Sequence, residues 1–303
     1  MISPGLSLAA ARAPFLSASV LTGLLGCAWV WSTGQTFSWP RALLALLGIA
    51  SVHLAANTAN DYYDWNGSDA VNQHAGPFSG GSRHRLDGKV PRSWFAVLTL
   101  VFLVLALASG LALVWLDRPH VLTLGIMGAA GGLLYSTKPI QLQARGLGEF
   151  DILVMFGPLT TLGTSYAITG TMDPAAFVIG IPAGILTTAI LWANEIPDMD
   201  ADQQSGKQTL VVRLGKDRAW WGLTLLVTAW VGTQVSLWAA GILPAWSLLA
   251  LLPIPLAIQA LRGIHANLQR PKELVPFQGQ IIMLQALSVG TMALALVGFK
   301  ILG

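Results

Sequence analysis

Nine apolar runs recur along the 303 residues, at 13–31, 42–58, 94–116, 121–135, 152–168, 175–192, 220–240, 248–261 and 281–302. Runs this frequent leave no polar face to turn toward water, which excludes an ordinary soluble domain. A membrane barrel is excluded too, because its strands are short and alternate apolar with polar residues. The pattern is that of an all-α, polytopic membrane protein, a single-domain bundle of nine transmembrane helices. Several runs are shorter than the roughly 20 residues of a perpendicular span, so polar residues at their ends continue the helices into the interface. The first run, behind Arg12, has the outline of a signal peptide, but its length and the eight runs that follow read as a retained helix.

Only 10% of the residues are charged against 54% apolar, where a soluble domain carries about 25% charge. The placement of each charge is therefore informative. With nine spans, 14 of the 17 lysines and arginines fall on the side of the amino terminus, and only Arg41, Arg118 and Lys300 fall opposite. That asymmetry predicts a cytoplasmic amino terminus, and the membrane expected to hold this multi-pass chain is of the bacterial inner type. The formal net charge of +3 is dispersed over short loops, which gives no footprint for nucleic acid. Cys27 is the single cysteine, so neither a disulfide within the chain nor a multi-cysteine metal site is possible.

Twelve of the fourteen acids share the basic face, Asp117 and Asp173 being the exceptions. The positive-inside rule concerns lysine and arginine and does not draw carboxylates along. Most of these acids sit in two stretches, after the second and sixth runs, that open the longest loops (57–92 and 194–218). One reads Asn57-Thr-Ala-Asn60-Asp61-Tyr62-Tyr63-Asp64 with Asp69 beyond it, the other Asn194-Glu195-Ile-Pro197-Asp198-Met-Asp200-Ala-Asp202. If the helices continue, residues four apart share a face, which aligns Asn60 with Asp64 and Asn194 with Asp198 and Asp202. Like charges at that spacing repel, so a cation is expected between them. Oxygen donors from Asp and Asn suit Mg²⁺, whose shell is commonly completed by water and substrate phosphate. Two such helix ends facing each other would hold a diphosphate through the metal.

Basic residues flank both stretches: Arg83 and Arg85 after the first, Lys138 and Arg145 after the fourth run, and Lys207 and Arg213 after the second stretch. Guanidinium forks and ammonium groups both suit phosphate oxygens. The turn Ser79-Gly80-Gly81-Ser82 offers main-chain N–H groups to the same kind of ligand.

These residues resemble the UbiA superfamily of intramembrane prenyltransferases. Asn60-Asp61-Tyr62-Tyr63-Asp64 matches its first asparagine-led motif, and Asn194, Asp198 and Asp202 match its second, running into Gly206-Lys207-Gln-Thr209-Leu-Val-Val-Arg213-Leu-Gly215. Together with Tyr135-Ser-Thr-Lys138-Pro139 and Arg145-Gly-Leu-Gly-Glu149, they are most similar to the 1,4-dihydroxy-2-naphthoate polyprenyltransferase branch of menaquinone synthesis. The resemblance implies a bundle whose central cavity opens laterally to lipid. It implies Mg²⁺-dependent transfer from a polyprenyl diphosphate to an aromatic acceptor. Asp61, Asp64, Asp198 and Asp202 would be catalytic and, with Asn60 and Asn194, hold the metal. Arg83, Lys138, Arg145, Lys207 and Tyr135 would bind substrate. Two departures stand out: Asp64 and Asp69 are one residue closer than the branch leads one to expect, and Glu195 replaces the usual second asparagine.

Some residues carry two readings. Tyr62, Tyr63 and Tyr135 suit either stabilisation of an allylic cation or interface anchoring. Glu149 and Asp151 suit either a proton acceptor or a partner of the helix dipole, and His53 either the cavity or packing. Within the superfamily the alternatives are other acceptors, such as 4-hydroxybenzoate, homogentisate or glycerol phosphate, although the 4-hydroxybenzoate branch tends to end its first motif in DRxxD and here Trp65 follows Asp64. Paired acidic motifs in two halves also occur in cation-coupled transporters, but there the acids lie near mid-membrane.

Overall fold

The computed structural model describes residues 4–83 and 88–302, which contain helices and no strand. The apolar helices are α1 (Leu16–Ser32), α2 (Trp39–Asp64), α3 (Arg92–Trp115), α4 (His120–Leu134), α5 (Gly148–Thr169), α6 (Pro174–Gln204), α7 (Lys216–Ala239), α8 (Ala245–Asn267) and α9 (Pro271–Leu302). Seven of them are long and apolar enough to cross a membrane; α1 and α4, with 17 and 15 residues, are apolar but shorter. Of the nine spans expected from the sequence, seven coincide with these long helices among the described residues, and the two shorter apolar helices stand at the other two runs.

Local chemistry sets the helix starts. Ser38 is extended and Pro40 stands in the first turn of α2, where a missing N–H is harmless. Asp173 caps α6 by accepting from the Ala175 N–H at 2.9 Å, while its other oxygen accepts from Trp29 Nε1 at 2.7 Å. The ends are decisive for function. Between Gly48 and Gly67 the sequence has neither glycine nor proline, and α2 runs on through Asp64. In α6, Pro197 lacks the N–H that would bond the Ala193 carbonyl. The buried Gln278 amide of α9 lies 3.4 Å from that carbonyl and donates at 3.1 Å to Asn194 Oδ1. The helix survives the proline and continues to Gln204.

Two halves of the bundle differ in kind. Helices α6 to α9 enclose a dry core that includes Trp192, Ile196, Leu223, Trp230, Ile264, Ile281 and Leu284, and a second cluster ties α1 to the far ends of α6 and α9 through Leu25, Ile179 and Met292. Helices α2 to α6 instead surround a cavity of about 530 Å³. On α2 its lining runs from Leu44 to Asp64, about 30 Å of helix at 1.5 Å per residue. Leu107 of α3 and Ile126 of α4 belong to this wall and are themselves exposed.

One close crossing sets the cavity's position. A π-helical turn at Met155–Leu159 absorbs Pro158 within α5. It brings Gly157 onto Gly180 and Gly184 of α6, so near that a methyl on Gly157 would stand 2.5 Å from the Gly180 carbonyl and 2.7 Å from the Gly184 nitrogen. Small residues permit such approach between membrane helices. Replacing Gly157 by Ala is expected to lower stability by about 1–3 kcal/mol through overpacking, read as a reduced melting temperature in detergent. Gly232→Ala, where nothing lies within 4 Å, is the matched control and should leave the melting temperature unchanged or raised.

Candidate active site

The ends of α2 and α6 carry the two acidic motifs to one mouth of the cavity. Helical spacing sorts the second motif by face: Asn194, Asp198 and Asp202 line the cavity, whereas Asp200 points away, exposed, with its carboxylate 3.2 Å from Lys216 Nζ. In the first motif Asn60 and Asp64 line the cavity, and Asp61, one residue round, is buried behind them.

Cations hold the facing carboxylates together. Lys207 Nζ donates to Asp64 Oδ2 at 2.8 Å and lies 3.4 Å from Asp202 Oδ1, so one buried ammonium bridges both motifs. Burial alone would pull the Lys207 pKa down, but Asp64 and Asp202 outweigh it and hold the group above the ordinary lysine range. Asp64 also accepts from Asn60 Nδ2 at 3.0 Å and from Gln143 Nε2 at 3.1 Å, and Asn60 donates in turn to Ser136 Oγ at 2.9 Å. On the far side Arg12 pairs with Asp61 and donates to Asn60 Oδ1 at 3.1 Å. Burial lowers the Arg12 pKa less than Asp61 and Asp69 raise it, which keeps the guanidinium charged. Asp69 follows on the short helix Ser68–Val71. Its pKa is pushed up to about 8 by burial and then by the charges of Asp61 and Asp64.

The loop between α2 and α3 folds back over this mouth. Gly80 N–H donates to Asp198 Oδ2 at 2.9 Å, Asn72 Nδ2 to Asp198 Oδ1 at 2.7 Å, and Ser82 N–H to Asp61 Oδ2 at 3.0 Å. Gly80 and Gly81 both take the left-handed conformation, with φ of 72° and 70°, a backbone open to glycine at no steric cost. The N–H groups expected to face phosphate therefore face the protein's own carboxylates.

Not every expected residue reaches the mouth. Arg83, Lys138 and Arg145 are exposed and outside the cavity lining, with Arg145 donating to the Pro139 carbonyl at 2.8 Å. Arg85 lies outside the described residues. The cationic places beside the carboxylates belong to Arg12 and Lys207 instead. Tyr135 does line the cavity, and burial, followed by the charges of Glu195 and Glu149, holds its phenol well above the ordinary range. Tyr62 packs beneath Arg92, 4.3 Å from the guanidinium, and neither it nor Tyr63 lines the cavity. His53 lines it, its Nδ1 2.9 Å from Ser19 Oγ and its ring edge-on to Phe156.

Arg12, Gln143, Ser136 and Asn72 were not singled out by the sequence. Arg12 stands directly before the first apolar run, where a basic residue reads as an orientation signal, and the others are ordinary loop amides and hydroxyls.

Among the described residues no three carboxylate, histidine or cysteine groups are gathered closely enough to ligate one ion. Asp64 and Asp202 converge on an ammonium. Even so, the donors are carboxylate and amide oxygens, with no sulfur and no imidazole among them, which is the chemistry of a hard divalent cation. A positive charge already stands between the motifs, so the residues fit Mg²⁺ in charge and donor type.

Fold and site together define a helical membrane protein whose cavity is apolar along its length and acidic at one mouth. The chain matches the UbiA prenyltransferase family over residues 19–296 and belongs to it; it is a membrane prenyltransferase. It is 33% identical over 264 residues to a 1,4-dihydroxy-2-naphthoate octaprenyltransferase of Mycobacterium leprae, covering 85% of this chain and 84% of that one. The identity to the protein of the same name from Mycobacterium tuberculosis is 32%, covering 87% and 86%. Among solved structures, a UbiA homologue from Archaeoglobus fulgidus bound to DMAPP and Mg²⁺ has the same fold, with a TM-score of 0.63 and 19% identity over 94% of this chain and 98% of that one.

Proposed function

We propose that this enzyme transfers a polyprenyl group from a polyprenyl diphosphate to 1,4-dihydroxy-2-naphthoate, with Mg²⁺ as cofactor and its acidic mouth facing the cytoplasm. The observation that carries the reading is the pairing of Asp64 with Asp202 across one buried cation at the mouth of a long apolar cavity. The acceptor rests on the naphthoate relatives, and the orientation on the asymmetry of lysine and arginine.

In this reading Asp61, Asp64, Asp198 and Asp202, helped by Asn60 and Asn194, hold the metal. Bound there, Mg²⁺ neutralises diphosphate oxygens and makes the diphosphate a better leaving group. Lys207 and Arg12 face the same oxygens and take up the charge that develops as the allylic C–O bond breaks. The prenyl chain lies along α2, α3 and α4, where each buried CH₂ contributes about 0.8 kcal/mol. The apolar walls along these helices disfavour water at the allylic carbon, leaving the electron-rich ring as the nucleophile.

The test is product mass from purified protein supplied with Mg²⁺, a polyprenyl diphosphate and, in parallel, dihydroxynaphthoate or 4-hydroxybenzoate. We expect the naphthoate alone to gain the prenyl group. Prenylation of the benzoate alone would move the protein to a different acceptor, and no transfer to either would remove the aromatic reading.

A further inference from the structure

Two carboxylates open α5, and the structure separates their roles. Glu149 Oε1 accepts from the Leu210 N–H at 2.7 Å, which ties the start of α5 to the segment after the second motif. Asp151 is equally buried, 7% exposed, and lines the cavity, yet its carboxylate has no hydrogen-bond or ion-pair partner among the described residues. A buried carboxylate without a partner is costly in a membrane protein and is by default a functional group. The helix dipole at the start of α5 offsets only part of that cost.

The wall opposite is shaped for it. Asp151 lies against Gly131 of α4, where a Cβ would stand 2.8 Å from its Oδ1, and the next residue, Gly132, faces Ala56 of α2, where a Cβ would stand 3.0 Å from the alanine Cβ. Gly128 and Gly132 line the cavity, while the bare backbone at Gly131 leaves room for the Asp151 carboxylate itself. Just past the end of α4 comes Tyr135, also in the lining, its ring against Gly148 of α5. An aromatic ring and an unpartnered carboxylate suit a planar ring bearing a hydroxyl, at the same end of the bundle as the acidic motifs; the other lining carboxylate with an unpartnered oxygen, Glu195, belongs to the second of those motifs.

We propose that Asp151 binds the ring hydroxyl of the aromatic acceptor and receives its proton during prenyl transfer. This rests on the function proposed above and adds the residue that serves the acceptor. The ring carbon forms a bond to the allylic carbon as the C–O bond to the diphosphate breaks, and that electron pair leaves with the diphosphate. The O–H pair moves into the ring and the proton passes to Asp151. When the substituted carbon then loses its hydrogen as a proton to the leaving diphosphate, Asp151 returns its proton to the oxygen and the ring is aromatic again.

The full-length protein in detergent, with 1,4-dihydroxy-2-naphthoate and its methyl ethers as acceptors, tests this. For Asp151→Asn we expect kcat to fall about 100-fold, in the range of a lost general base, and the KM for the acceptor to rise at least about tenfold by the same loss of a charged hydrogen bond. The KM for the prenyl diphosphate should stay as in the wild type. The wild type should prefer the free hydroxyl to the ether, and Asp151→Asn should lose that preference, which a merely structural role would not produce. Gly131→Ala, which presses on Oδ1, should raise the acceptor KM in the same selective way. A wild type that prenylates the naphthoate, together with variants that keep its acceptor KM and its preference for the hydroxyl, overturns this inference alone. A wild type that prenylates no hydroxylated ring overturns it together with the proposed function.

Discussion

Asp64→Asn is expected to lower turnover at least about 1000-fold, a loss on the scale of a key electrostatic group in a water-poor site. Asp64 is the most heavily engaged carboxylate of the mouth, bonded to Lys207, Asn60 and Gln143 at once. Asparagine keeps the shape and removes the charge that balances the ammonium and attracts a metal. Asp200→Asn is the control. Its carboxylate is exposed and, among the described residues, meets only Lys216, at 3.2 Å, an arrangement worth about 0–1 kcal/mol, so turnover should remain near wild type. Comparable activity in the two variants, measured as product formed per minute with saturating Mg²⁺ and both substrates, would remove the acidic mouth from the chemistry.

Lys207→Met should cost about 3–5 kcal/mol of stability, the penalty for leaving buried charge without its partner. Methionine retains most of the stem and its packing but leaves Asp64 and Asp202 opposed with no cation between them. The melting temperature in detergent without added metal reads the effect. Combining Lys207→Met with Asp202→Asn should restore part of the loss, because the second change removes one of the stranded charges. Such non-additivity is the signature of direct coupling. Equal, additive losses from the two changes would show that the bridge is not what holds the helix ends together.

Much of the architecture was legible because the bilayer leaves few alternatives. Helices fall at all nine apolar runs, and the spacing of Asn194, Asp198 and Asp202 placed them on one face, the face that lines the cavity. The sequence was silent on which short runs reach full span length. In α4 the limit is set by Pro119 immediately before it and by the turn at Tyr135 behind it, where glycines at 125, 128, 131 and 132 weaken any periodic signal. The carboxylates of the site were legible and their partners were not. Arg12 meets Asp61 across 49 residues of sequence, and Lys207 meets Asp64 across 143. Nothing local distinguishes such a residue from Lys138 or Arg145, which remain at the surface. Charge-to-charge pairing of this kind depends on how loops return to the bundle, and the pattern of apolar runs carries no record of that. The same holds for Asp151 and Glu149, two residues apart in one helical turn, which only the return of Leu210 tells apart.

The turn at Gly80 and Gly81 is held by the same carboxylates that the proposed function gives to the metal. Gly80 N–H donates to Asp198 and Ser82 N–H to Asp61. Each carboxylate has about four acceptor sites, so in that reading one group serves the turn and an ion together. The position of the loop and the charge state of the mouth are thereby coupled, because whatever draws electron density from Asp198 or Asp61 also loosens the main-chain N–H groups that rest on them.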